Sequence, residues 1–170
     1  GFFLNGKEYP LRGVSRHQDY PTKGNALTLE DHKRDMDLIM EIGANTIRLA
    51  HYQHAQEFYD LCDENGLVIW AEIPYISNHM HNGYDNTISQ MTELVAQNYN
   101  HASICFWGLS NEITIAGADD PHLIKNHKDL NDLVHKLDST RLTTIASVTM
   151  CSPDNEYVHI SDVLSYNHYF

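Results

Sequence analysis

The 170-residue sequence predicts a (β/α)8 barrel that is incomplete here, with about six strands of a parallel sheet covered by helices. Three observations carry the prediction. Runs that are apolar on both faces, such as Leu67-Val68-Ile69-Trp70 and Ile104-Cys105-Phe106-Trp107, alternate with amphipathic stretches of helical period. The segment Arg12-Gly13-Val14-Ser15 holds a single glycine, so the Gly-rich turn of a doubly wound sheet is missing. A whole barrel takes about 250 residues, which makes this chain about three quarters of one. No linker-like or low-complexity stretch divides it, so residues 1–170 read as one domain.

The elements follow in order. Asn5-Gly6, between Phe2-Phe3-Leu4 and Lys7-Glu8-Tyr9, supplies the positive-φ turn of a short hairpin. Leu11 to Val14 is strand-like and runs into a polar loop with Arg16, His17 and Asp19. Thr28 and Asp31 form a capping box for a helix whose apolar face is Met36, Ile39 and Met40 and which Gly43 closes. Asn45 to Leu49 is the next strand, and a helix from Ala55 to Glu64 ends at Asn65-Gly66. Leu67 to Trp70 is a strand leading to Glu72 and Pro74. A loop with His79, His81 and Gly83 then precedes a helix carrying Ile88, Met91, Leu94 and Val95. Ile104 to Trp107 is a strand that ends at Ser110-Asn111-Glu112, and Leu123 to Leu137 repeat with a clear 3.6-residue period. Leu142–Val148 and Val163–Asn167 complete six strands and four helices.

Composition narrows the function. Eleven Lys+Arg against 23 Asp+Glu leave a charge of −12, the wrong sign for neutralising nucleic-acid phosphates. No apolar run reaches the roughly 18 residues of a membrane span. Cys62, Cys105 and Cys151 are odd in number and widely spaced, which fits reduced thiols better than a disulfide framework. The compartment stays open between the cytoplasm and periplasm of a bacterium.

Polar and titratable residues gather where strands end: His17, Arg48 with His51, Glu72, Asn111 with Glu112, and Asn167-His168-Tyr169. A barrel brings those carboxyl ends to one face, where catalytic groups collect. Asn111-Glu112 is the most informative pair, because an otherwise apolar strand delivers an amide and a carboxyl side by side. Apolar neighbours would disfavour the charged carboxylate, as a general acid needs. The amide could fix a substrate hydroxyl.

Four ordered motifs resemble the catalytic barrel of glycoside hydrolase family 2. They are Arg12-Gly13-Val14-Ser15-Arg16-His17, Asn45-Thr46-Ile47-Arg48-Leu49-Ala50-His51-Tyr52, Phe58-Tyr59-Asp60-Leu61-Cys62-Asp63-Glu64-Asn65-Gly66 and Trp107-Gly108-Leu109-Ser110-Asn111-Glu112. The resemblance covers about Phe3 to Phe170. The stretch Asp138-Ser139-Thr140-Arg141-Leu142-Thr143-Thr144 tilts it toward β-galactosidases, with β-glucuronidases and β-mannosidases as alternatives. It implies a retaining glycosidase of carbohydrate catabolism that cleaves terminal β-glycosides. Glu112 would be the general acid/base, Asn111 would hold the sugar 2-hydroxyl, and His17 and His51 would line the glycone pocket. Arg48 would orient the nucleophilic carboxylate, with Tyr169 near it. Glu72 would maintain the site, and Asp19 lies where a substrate contact could form.

Two departures from the family pattern stand out. Relatives that bind magnesium carry a Glu and a His shortly after the third-strand acid. Ile76 and Asn78 occupy those offsets here, so no magnesium or other cofactor is expected. The family's nucleophile, a Glu after a seventh strand, matches no residue of this chain, which therefore reads as an inactive piece of a longer enzyme. A piece with open sheet edges near Leu11–Val14 and Val163–Asn167 would tend to self-associate, so a homo-oligomer is possible. His51/His54 and His79/His81 are short-range pairs, but without His-Glu-x-x-His or Cys-x-x-Cys no zinc site is expected. His32, His122, His127 and His135 fall in helical segments as surface or packing residues. The rival from another class is a non-catalytic sugar-binding or structural barrel.

Overall fold

Six strands run parallel in the order of the chain, each hydrogen-bonded to the next, in a computed structural model that describes residues 1–169. A hairpin of β1 (Phe3–Leu4) and β2 (Lys7–Glu8) comes first. The sheet then follows as β3 (Gly13–Arg16), β4 (Thr46–Leu49), β5 (Val68–Glu72), β6 (Ile104–Asn111), β7 (Leu142–Val148) and β8 (Val163–Asn167). Helices α1 (Leu29–Glu41), α2 (Gln56–Glu64), α3 (Tyr84–Asn98) and α4 (Pro121–Leu137) fill the crossovers. Short 3-10 turns at Ile113–Ala116 and Glu156–His159 follow β6 and β7.

Local sequence explains these elements. Asn5 and Gly6 both adopt positive φ (51° and 77°), the turn that matches hairpin twist. The Thr28 side chain accepts from Asp31 N while Asp31 Oδ2 accepts from Thr28 N, so the capping box forms as expected. Asp120 caps α4, and Pro121 opens it without losing a needed donor.

The sheet is curled. Strands lie about 4.8 Å apart, so in a flat sheet β4 and β8 would be separated by about 19 Å. That gap exceeds what an Arg and an Asn can bridge, yet Arg48 Nη1 meets Asn167 Oδ1 at 2.9 Å. The result is a parallel half-barrel, consistent with an incomplete (β/α)8 barrel. Its convex side carries the apolar core: Ile47, Leu49, Ile69, Trp107, Leu109 and Ile145 pack beneath Met36, Phe58, Met91, Leu94, Leu130 and Val134 of the helices. Each such side chain stabilises by about 1.5 to 3 kcal/mol when fully buried. The concave side is polar, with Arg48, Glu72, Asn111 and Asn167 directed inward and tied to one another. Strands β3 and β8 have a free outer edge each among the described residues.

Several boundaries differ from expectation. β3 starts at Gly13 rather than Leu11 and includes Arg16, which was expected in a loop. Arg16 is buried. It donates to both Asp35 Oδ2 (2.7 and 2.9 Å) and the Nδ1 atoms of His32 and His54 (3.0 Å each), and its guanidinium lies over Phe58. β5 and β6 run on to Glu72 and Asn111, because their inward polar groups are satisfied by partners on neighbouring strands. A register shift between Gly108 and Asn111 lets Ser110 turn to α4 while Asn111 faces the concave side.

Candidate active site

Arg48 is the hub on which four strands converge. Its Nε and Nη2 donate to the two oxygens of Glu72, each at 2.9 Å, in a bidentate pair. Nη2 also reaches Asn111 Oδ1 at 2.7 Å, Nη1 reaches Asn167 Oδ1 at 2.9 Å, and the guanidinium stacks on Trp70. Glu72 Oε1 is 2.7 Å from His51 Nδ1 as well, and its side chain is 1% exposed. Glu72 is thus a buried anchor paired at both oxygens where it stands.

Glu112 is different. It follows β6 in the left-handed region (φ 51°, ψ 29°), a conformation that costs a non-glycine residue of order 1 kcal/mol or more. Its N–H donates to Ala146 O at 2.8 Å, which holds the turn against β7. Its carboxylate Oε1 accepts from Asn167 Nδ2 at 2.9 Å and from the Tyr169 hydroxyl at 2.5 Å. The hydrogen bond to this carboxylate raises the Tyr169 hydroxyl above its ordinary pKa. Among the described residues Glu112 has no ion-pair partner, and it is half-buried. The apolar surroundings expected for it give way to amide and hydroxyl donors, because Tyr169 and β8 curl over its oxygen.

His17 and His51 stand edge to face with ring centres 5.0 Å apart, at the ends of β3 and β4. The Tyr52 hydroxyl accepts from Gln18 N, and Gln18 Oε1 accepts from Ala55 N, which fixes one loop against the other. His17, His51, Arg48, Glu72, Asn111, Glu112 and Tyr169 therefore share one face. Asp19 is exposed and takes no part in this network.

A family model described as "Glycosyl hydrolases family 2, TIM barrel domain" matches residues 1–169. The chain belongs to glycoside hydrolase family 2. A beta-glucuronidase of Bacteroides fragilis is 44% identical over 178 residues, covering 99% of this chain and 25% of the relative. A beta-galactosidase of Thermoanaerobacterium thermosulfurigenes is 34% identical over 148 residues, covering 84% of this chain and 19% of that protein. The crystal structure of an FMN-binding beta-glucuronidase from Facaelibacterium prausnitzii L2-6 superposes with a TM-score of 0.96 at 56% identity, covering 100% of this chain and 27% of that one. The chain thus spans about a quarter of the length of these two beta-glucuronidases and about a fifth of the beta-galactosidase.

One residue of this family 2 site stood among the strand-end polar residues of the sequence but was given no role there. Asn167 connects Arg48, Asn111 (2.9 Å) and Glu112 in one chain of hydrogen bonds. Its signal was its place at the end of β8, where a strand otherwise hands over to a loop. Behind the site, His127 is fully buried on α4. Its Nδ1–H donates to Leu123 O, leaving Nε2 to accept from the Ser110 hydroxyl, which itself contacts the Tyr157 hydroxyl. This network fixes the residue before Asn111 from the convex side.

Proposed function

We propose that the chain supplies the acid/base half of a retaining β-glycosidase site and that the substrate is a β-glucuronide. One observation carries the chemistry. Of the two acids gathered on the concave face, Glu72 is buried and held at both oxygens by Arg48, while Glu112, half-buried beside Asn111, is held only at Oε1, by neutral donors, and has no ion-pair partner among the described residues. A group in that position can give a proton to the glycosidic oxygen as the bond to the anomeric carbon breaks. It then takes a proton from the water that attacks the same carbon. Asn111, held by Arg48, is placed to bind a sugar hydroxyl beside the reacting centre, and His17 and His51 wall one side.

A retaining reaction needs a second carboxylate roughly 5 to 5.5 Å from the first, to form and release the glycosyl-enzyme. Glu72 is locked in its ion pair, so that role is assigned to no residue of this chain. The relatives are several times longer, and this reading takes the nucleophile from their additional length. Support for glucuronide over the galactoside expected from the sequence comes from two relatives at 44% and 41% identity, one named beta-glucuronidase and the other putative beta-glucuronidase, against 34% for the beta-galactosidase. The beta-galactosidase of Thermoanaerobacterium thermosulfurigenes supports the galactoside as the second reading.

The test is the full-length protein assayed on 4-nitrophenyl β-glucuronide and 4-nitrophenyl β-galactoside, with the first-formed anomer followed by NMR. Faster glucuronide turnover with retention is expected. Faster galactoside turnover would overturn the substrate, and inversion would overturn the mechanism.

A further inference from the structure

The loop after β5 and the start of α4 bring three metal-binding side chains together away from the catalytic network. His79, His81 and Asp120 each offer a ligand atom, and the three atoms lie within 4.8 Å of one another. His81 Nε2 and Asp120 Oδ2 are 3.6 Å apart. Two donors on a tetrahedral ion with bonds of about 2.1 Å stand about 3.4 Å from each other, so that pair already has near-ligand spacing. The imidazoles of His79 and His81 meet edge to face at 5.2 Å.

The other ring nitrogen of His79 decides how it is used. Its Nδ1 is 2.5 Å from the Tyr75 hydroxyl, while its Nε2 is buried with no hydrogen-bond partner. A buried polar nitrogen left without a partner costs free energy unless something occupies it. An imidazole oriented through one nitrogen and free at the other is the usual arrangement of a metal ligand with its supporting hydrogen bond. Asp120 Oδ1 is occupied as the cap of α4, accepting from His122 N, while Oδ2 is the oxygen nearest His81.

We propose that His79 Nε2, His81 and Asp120 bind a divalent transition-metal ion of the zinc class. Two imidazoles and one carboxylate suit zinc, cobalt or nickel, whereas magnesium and calcium prefer all-oxygen sites. Three protein ligands leave a fourth position for water or for His122, whose ring lies 5.0 Å from that of His81.

The ion would clip two loops that border the acid/base. The loop holding His79 and His81 begins at Ile76 and Ser77, where Ser77 N donates to Asn111 O at 2.9 Å. Asp120 follows the 3-10 turn that Glu112 introduces. Binding there would steady the backbone on both sides of Asn111-Glu112 without touching substrate.

The experiment is titration calorimetry of tag-free, chelator-stripped full-length protein with zinc chloride, and cobalt chloride as an absorption probe. One ion per chain is expected, with the intense visible bands of four-coordinate cobalt and a raised unfolding temperature. His81→Ala removes a side chain that is 67% exposed, and Asp120→Asn keeps a good helix cap, so neither threatens the fold. Each should weaken zinc binding at least about tenfold. Tyr75→Phe, which removes only the supporting hydrogen bond, should weaken it about 10- to 100-fold. Failure of the wild-type protein to bind zinc, or zinc binding undiminished in either His81→Ala or Asp120→Asn, would overturn the site.

Discussion

Arg48 and Glu72 face each other across β4 and β5 as a bidentate pair, Nε to Oε2 and Nη2 to Oε1, both at 2.9 Å. The carboxylate is almost wholly out of water, and the same guanidinium holds Asn111 and Asn167. The pair is therefore a frame on which the site hangs. Removing the cation would strand a buried charge, which costs far more than an exposed ion pair is worth. Arg48→Met is expected to lower stability by about 3 to 5 kcal/mol in denaturant unfolding. A change under about 1 kcal/mol would show that the pair contributes no more than an exposed one and does not frame the site.

Gly108 gives a second prediction, from contact distances. A Cβ placed there would lie 2.3 Å from Trp70 Nε1 and 2.5 Å from Glu72 Cβ. Neither neighbour can retreat easily, since Trp70 lies under Arg48 and Glu72 is held at both oxygens. Gly108→Ala should cost about 1 to 3 kcal/mol and displace the Arg48–Glu72 frame. Thermal unfolding and turnover should both fall. Unchanged unfolding temperature would mean that the concave face is looser than its contacts indicate.

Much of this was legible in the sequence, for identifiable reasons. The six strands and four helices announced themselves because continuous apolar runs and 3.6-residue periods report burial on the convex side directly. Strand ends carrying Arg48, Glu72 and Asn111-Glu112 stood out because polar groups interrupt those runs. Arg16 did not read correctly. Its partners Asp35, His32 and His54 lie 16 to 38 positions away, and nothing local distinguishes a buried arginine from a loop arginine. The role of Asn167 was hidden for the same reason, because only the curl of the sheet brings it to Arg48 and Glu112. The setting of Glu112 was misjudged from its own strand, since its donors come from β8 and Tyr169. Spacing alone also could not join Asp120 to His79 and His81, some forty residues earlier.

Buried histidines make stability depend on pH. Burial lowers His54 to about 3 and His127 to about 4, and it lowers His32 as well. Hydrogen bonding agrees: His54 Nδ1 accepts from Arg16, and His127 Nε2 accepts from Ser110, so neither nitrogen has room for a second proton. In the unfolded chain a histidine titrates near 6.5. Below that value the unfolded chain binds protons that the folded chain refuses, so stability should be full above about pH 6.5 and fall as pH drops toward 4. Unfolding temperatures at pH 7.5, 6 and 5 check this. A flat profile across that range would show that these imidazoles are protonated in the fold.

The last prediction separates a catalytic Glu112 from a structural one. Gln at this position keeps an oxygen that can accept from Asn167 and Tyr169, so Glu112→Gln should leave the unfolding temperature unchanged. It cannot give up a proton. A general acid is typically worth about 10² to 10⁴-fold, and the loss should fall on substrates whose leaving group needs that proton. In the full-length protein, turnover of an unactivated glycoside should therefore drop by about that factor, whereas a 2,4-dinitrophenyl glycoside should form the glycosyl-enzyme at nearly the normal rate. Breakdown of that intermediate then becomes slow, because no carboxylate activates water. Azide needs no base, so its addition should raise turnover of the activated substrate and yield a glycosyl azide. A Glu112→Gln protein that kept normal activity on the unactivated glycoside would leave Glu112 as a hydrogen-bond acceptor for β8, and the acid/base would have to be sought elsewhere.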